Sequence, residues 1–342
     1  MSVRAHGLDS TLFTARAGAA RDSGAAAPQA LGQPLALYLD LPFLTACASE
    51  HGLWLAACAD PWPGSLAVYR RQGLSLSFSR TLKTPGVIGE TLDPLPQGPL
   101  WRRDRRTKLR ILLYRGALQS ISEAELLMGG NVAAIGDAAS GFEIVQFSEV
   151  HLVGERTYEI SSLLRGQLGS SPEMVHERVA GASFVLLDKS LVQLPMTSAD
   201  LGLELAWAIG PAARNPGDDS YREDIIVNRG RALRPLPPCQ VRAKRLANGD
   251  LALSWIRQTR SDGDSWELAE VPLGEEREAY LLEILATGEV RRTLTTGQTS
   301  YLYARADRLA DFGAEPSSLT LRISQLSVAC GAGASTEVTL DV

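Results

Sequence analysis

Leu251, Leu253 and Trp255 alternate with Ala252 and Ser254, which predicts a strand with one large apolar face and one small face. A turn at Asn248-Gly249-Asp250 precedes it. Past a long polar loop, Tyr280, Leu282 and Ile284 line one side of another strand. A Trp strand facing a Tyr strand predicts the core of a small two-sheet sandwich. Upstream, Leu35, Leu37, Leu39 and Leu41 alternate with Ala36, Tyr38 and Asp40, and Pro42 ends that strand. Residues 53–57 predict a second strand, Pro61-Trp62-Pro63-Gly64 has turn chemistry, and 65–70 with 74–78 predict a hairpin across Gln72-Gly73.

Residues 83–99 carry so many prolines and glycines that they read as one long loop. A strand over 109–115 follows. Ser122 and Glu125 then have capping-box spacing, which predicts a short helix with a glycine stop at Gly129-Gly130. Residues 142–153 and 157–164 predict a long hairpin closing at Gly154-Glu155-Arg156, and 181–188 another strand. Leu201, Leu203, Leu205, Trp207 and Ile209 alternate with small or polar residues, predicting a strand after which 214–220 is a polar loop. Arg234-Pro235-Leu236-Pro237-Pro238 reads as a stiff linker. Seven short strands are predicted beyond it, the number in an immunoglobulin-like sandwich. The chain is thus expected to be all-β: a loosely attached segment over 1–34, a β-rich domain or pair of subdomains over 35–234, and a sandwich over 235–342.

The 342 residues carry a formal net charge of −5, which favours neither nucleic acid nor an anionic membrane as partner. No apolar run approaches the ~20 residues of a membrane helix, and the first 33 residues lack the apolar region of a secretory signal. The run 101–110 holds six basic residues and Asp104, and reads as a solvated loop or strand edge. Cys47, Cys58, Cys239 and Cys330 are too scattered for metal spacing. Position leaves a Cys239–Cys330 bridge open, but four free buried thiols are expected in a chain made in the cytosol.

Several ordered runs narrow the picture. Prolines before the first strand of 235–342, Trp255 on the second, Tyr280 on the third and Gly331-Ala332-Gly333 before the last resemble a fibronectin type III module. Leu163-Leu164-Arg165-Gly166-Gln167-Leu168-Gly169, the run 181–188, the run 255–266 and Glu270-Val271-Pro272-Leu273-Gly274-Glu275 together resemble the C-terminal part of the tail-tip, or host-specificity, protein of gene transfer agents and related long-tailed phages. That resemblance implies a baseplate component, usually trimeric around the tail axis, made in the bacterial cytoplasm and assembled with other tail proteins into an extracellular particle. It implies a part that positions or makes contact with the recipient cell surface, whose polysaccharide is a candidate ligand for aromatic side chains in loops. Family members are far longer, with hub domains and a glycoside-hydrolase-like barrel preceding this part. The chain is therefore expected to be a fragment, a truncated reading frame or a split homologue, and hub or hydrolase activity is not carried over to it.

Catalytic residues are not expected. His6, His51, His151 and His176 sit in unrelated segments, and no G-x-S-x-G elbow is present. Glu143 and Glu149 share a strand face at about 20 Å, too far for a glycosidase pair. The 331–335 run lacks the lysine and helix of a phosphate loop. No cofactor or metal is expected. Arg165 is read as making a buried, multidentate contact to backbone carbonyls that fixes its turn, with contact to a neighbouring protomer as the other reading. Trp62, Trp101 and Trp266 fall in predicted loops, where a ring can stack on a sugar or cover the core. The expected function is structural and adsorptive; the alternative is a non-catalytic, carbohydrate-binding accessory part of a glycan-degrading enzyme. Both require paired sheets and no deep pocket of converging acidic side chains.

Overall fold

The computed structural model describes residues 31–42, 44, 48–174, 177–260, 263 and 271–342. Trp266, His6, His176, Cys47 and residues 1–30 lie outside them. The first strands are β1 (Leu35–Leu39), β2 (Leu53–Cys58), β3 (Leu66–Gln72) and β4 (Ser75–Leu82). Next come β5 (Ile88–Thr91), β6 (Leu109–Arg115), helix α1 (Glu123–Leu127), β7 (Val132–Asp137), β8 (Gly141–Gly154), β9 (Thr157–Leu164) and β10 (Ser183–Leu186). The chain continues through β11 (Val192–Leu194), β12 (Glu204–Pro211) and β13 (Arg222–Val227). It ends with β14 (Cys239–Arg245), β15 (Leu251–Ile256), β16 (Tyr280–Ala286), β17 (Glu289–Thr296), β18 (Ser300–Tyr303), helix α2 (Arg305–Phe312), β19 (Ser318–Ser327) and β20 (Gly331–Asp341). The fold is all-β, and the strand pairings are antiparallel.

Two distant stretches form the first sandwich. The sheet β1-β2-β11 packs on β13-β12-β3-β4, and Tyr38, Leu53, Leu55, Leu66, Val68, Trp207 and Ile209 fill the space between. Between β4 and β11 the chain departs to build a closed barrel, β10-β5-β6-β9-β8-β7. Its two ends meet: Ile88 is paired with Val185, and Leu186 N–H donates to the Val87 carbonyl at 3.0 Å. The barrel is a packed core rather than a pore, because Leu109, Ile111, Ile135, Val145, Phe147, Ile160 and Phe184 point inward. Phe142, Ile144, Ala134 and Val185 alternate with these and point outward, onto Leu39, Ala56 and Cys58. The sheet β1-β2-β11 is therefore a middle layer with both faces covered, which explains the near-continuous apolar runs of β1 and β2.

The C-terminal strands form a sandwich of β14-β15-β18 on β17-β16-β19-β20. This is the seven-strand, two-sheet arrangement of an immunoglobulin-like fold. Trp255 and Tyr280 meet edge to face with ring centroids 5.3 Å apart, as the facing strands predicted.

Several expectations need correction. The 83–99 stretch is not all loop, because β5 lies within it and closes the barrel. The alternation from Leu201 becomes a strand only at Glu204, and Leu203 is 53% exposed. Strands β7, β11 and β13 and helix α2 had no counterpart in the pattern. Helix α2 was hidden because its buried residue is Arg308, which donates to the carbonyls of Tyr303 and Gly249 and pairs with Glu315. Cys58 is buried as expected, but Cys239 is half-buried and Cys330 exposed; all three are free thiols. The capping box of α1 forms as its spacing demands, with Ser122 and Glu125 hydrogen-bonding each other's backbone N–H.

Candidate functional site

One end of the barrel is closed by charge. Arg165 lies just after β9 with its side chain 1% exposed and grips Glu143 of β8 with two hydrogen bonds, Nε to Oε1 at 2.7 Å and Nη2 to Oε2 at 2.9 Å. Nη2 also donates to the Pro96 carbonyl at 2.9 Å, and Nη1 lies 3.6 Å from Asp104 Oδ2. Gly166 N–H completes Glu143 at 3.1 Å. Asp104, the one acid in the basic run, thus turns inward while the surrounding cations face out, Arg110 to Asp93 and Lys108 to Glu159. Burial raises the Asp104 carboxyl, but the Thr107 hydroxyl, the Thr107 and Arg106 amides and the Arg165 guanidinium together hold it below the usual range. Gly98 is required here, since a Cβ would come within 2.6 Å of Arg165 Nη1.

This placement decides what Arg165 can do. A side chain this deeply buried reaches neither a glycan nor a neighbouring subunit, which corrects the protomer-contact reading; its partners are two carboxylates and one carbonyl rather than carbonyls alone. Glu143 faces the barrel interior and Glu149 accepts from Ser161 on β9 at 2.7 Å, so each has a structural partner of its own. Trp62 packs half-buried against the first sandwich core. Trp101 stands 81% exposed on left-handed backbone, φ 61°. The structure does not bring Arg165, Trp62 and Trp101 together into one site.

The concavity lies elsewhere, at a place no sequence motif pointed to. A cavity of about 620 Å³ opens where β1, the β7–β8 turn, β13, the 229–234 stretch and the Cys330–Ala332 turn meet. Asp40, Asp137, Glu173 and Asp224 line it, but no three acidic groups among the described residues come together, so it is not the converging acidic pocket that both readings exclude. Three of the four are tied into the framework. Asp40 accepts the backbone N–H groups of Arg229 and Arg231 at 2.9 and 2.8 Å, although burial pushes its carboxyl upward. Asp137 accepts from the Ala139 and Ser140 amides, both at 2.8 Å, and Glu173 pairs with Arg231 at 2.5 Å. Asp224 is different: Arg222 holds Oδ1 at 2.8 Å, whereas Oδ2 is buried with no hydrogen-bond partner. The Tyr38 hydroxyl beside it is likewise buried without a bond of good geometry. Burial first, and then the Asp224 charge, keep that phenol protonated far above the ordinary tyrosine range. Two clues to this pair were present in the sequence: a lone hydroxyl among leucines at Tyr38, and Arg222 with Asp224 two apart on one strand face.

Among the described residues no group of three or more His, Cys, Asp or Glu side chains is placed to hold a metal ion. No described helix is long and apolar enough to cross a membrane.

Comparison with known proteins bears on the barrel. Residues 86–185 match the family model described as "Rcc01698-like, C-terminal". That span runs from just before β5 into β10, so the match falls on the inserted barrel. It includes Arg165, Glu143 and Asp104, and is consistent with a structural protein related to gene transfer agents. No curated protein matches the chain. Among solved structures, the FN1-FN3 domains of chicken CNTN1 overlap 92% of this chain and 99% of their own at 10% identity and a TM-score of 0.22, too loose an overlap to bear on the fold.

Proposed function

We propose that this chain is a structural component of the tail tip or baseplate of a phage-like, gene-transfer-agent particle, and that it takes part in adsorption to the recipient cell. One observation carries this reading: the barrel coincides with the span matched by the family model, and contains two of the runs that resemble tail-tip proteins. In this reading the chain is made in the bacterial cytoplasm, joins other tail proteins as a homotrimer about the tail axis and ends up outside the cell. Its role is non-catalytic. The buried carboxylates of the barrel are committed to Arg165, and a charge so compensated holds shape rather than moving protons. Weak contacts repeated around a trimer raise avidity by about 10² to 10⁴ without any tight site.

The test is a particle preparation from cells lacking the gene, complemented with an epitope-tagged copy. Gold-labelled antibody should mark the tail end away from the head, and particles lacking the chain should fail to adsorb. Label absent from purified particles, or undiminished adsorption without the chain, overturns the reading. Hydrolysis of envelope polysaccharide by the purified chain would overturn the non-catalytic assignment.

A further inference from the structure

The cavity has the size of an ordinary small-molecule site, 620 Å³ within the usual range of about 300–1,000 Å³. Its walls offer three kinds of contact. Leu37, Leu53, Phe142 and Ile226 supply an apolar side. Tyr38 and Asp224 supply a hydroxyl donor and a carboxylate oxygen that lie against each other without a hydrogen bond of good geometry. Arg229 and Arg234 supply cations: both line the cavity, and among the described residues neither guanidinium makes a hydrogen bond or ion pair. Every other charged group on the wall is engaged, Arg231 by Glu173 and Arg222 by Asp224. Two arginines in a concave, partly apolar site, Arg229 near Asp40 but neither held by a hydrogen-bonded carboxylate, favour an anion. A ligand hydroxyl placed between this donor and this acceptor can serve both at once.

We infer that this cleft binds an acidic monosaccharide unit. Its carboxylate would meet Arg229 and Arg234, one ring hydroxyl would bridge Tyr38 and Asp224, and its C–H face would lie on the apolar side. Neither Tyr38 Oη nor Asp224 Oδ2 reaches solvent in the empty cleft. The hydroxyl gains access by rotation of the Asp224 carboxylate, which Arg222 anchors through Oδ1 alone. The site deepens the adsorption reading, on which it rests only for the biological source of the saccharide.

Titration calorimetry of the full chain tests it with three probes: D-glucuronate, D-glucose and inorganic phosphate. Glucuronate should bind saturably and at least about tenfold more tightly than glucose, since a charge-assisted pair is lost with the carboxylate. The double variant Arg229→Ala/Arg234→Ala should reduce glucuronate to the level of glucose. Tyr38→Phe should weaken glucuronate about fivefold, the effect of one ordinary hydrogen bond, and leave phosphate unchanged. Should Tyr38→Phe fail to fold, Asp224→Asn removes the acceptor charge and is expected to weaken glucuronate to a similar degree. No glucuronate binding, equal binding of glucose, or phosphate binding as tight as glucuronate overturns the proposal. Binding that survives both sets of variants overturns it as well. Absence of binding with the tagged chain still at the tail tip sinks the cleft alone; intact binding with no label on the particle sinks the particle role alone.

Discussion

The sandwich around Trp207 and the sandwich around Trp255 both pack three strands on four, yet they are assembled in opposite ways. In the second, strands follow one another along the chain, and one face of each sheet meets the other across Trp255, Tyr280 and Tyr303. In the first, β11 to β13 return only after the whole barrel has been made, and the three-stranded sheet is buried on both faces. The lesson concerns cooperativity. The Trp255 core is self-contained, whereas the Trp207 core shares a wall with the barrel and gains or loses structure together with it.

The largest effects test that contrast. Trp255→Ala and Trp207→Ala should each destabilise by about 3–5 kcal/mol in urea unfolding. Their hydrogen-exchange footprints should differ. Opening after Trp255→Ala is expected to stay within β14 to β20, while opening after Trp207→Ala should extend through β1 and β2 into β7, β8 and β10. Confinement of the second footprint to the first sandwich would break the shared-wall account.

Arg165→Leu should lower barrel stability by about 3–5 kcal/mol, because Glu143 is left buried without its partner. Adding Glu143→Gln should recover part of that loss, and no recovery would mean that packing rather than charge closes the barrel end.

Acid gives a smaller, local effect in the first sandwich. Arg70 donates to Asp200 at 2.5 Å and, with the Thr197 cap, lowers that carboxyl from 3.8 to about 2. A depressed folded pKa contributes stability that is present above the unfolded value and lost as pH falls. The pair's contribution should therefore fade between pH 3.8 and about 2. The stability gap between the parent and Arg70→Met, followed by denaturant midpoints, should shrink through that window and stay constant above about pH 5.

Trp101→Ala, at the exposed end of the scale, should change stability by no more than about 0.5 kcal/mol. A larger loss would place that ring in a core.

The same contrast explains what was legible in the sequence. Strands β15 and β16 face water on one side, so period two is written plainly in Leu251, Leu253 and Trp255 and in Tyr280, Leu282 and Ile284. Strand β5 was hidden because Gly89, which must let the backbone of Leu112 approach, looks like loop chemistry when read locally. Strand β13 was hidden because its inward face carries Arg222 and Asp224 toward the cleft rather than a row of apolar residues. For the barrel plug, the Leu164-Arg165-Gly166 run pointed to a buried arginine, but not to Glu143 and Asp104 as its partners. The cleft draws on residues from Ala36 to Ala332, and no local pattern can announce a juxtaposition of that range.

A strand with water on one side is told which way to face by polarity, because a slip of one residue would put the wrong chemistry in the core. Strand β1 receives no such instruction. Leu35, Leu37 and Leu39 look toward the barrel and Ala36 and Tyr38 toward Trp207, and both directions are oily. What distinguishes them is bulk: three leucines fit one side, a methyl and a phenol the other. The alignment of this wall is thus dictated by shape, and it becomes definite only once the molecule has supplied both surfaces against which it is measured.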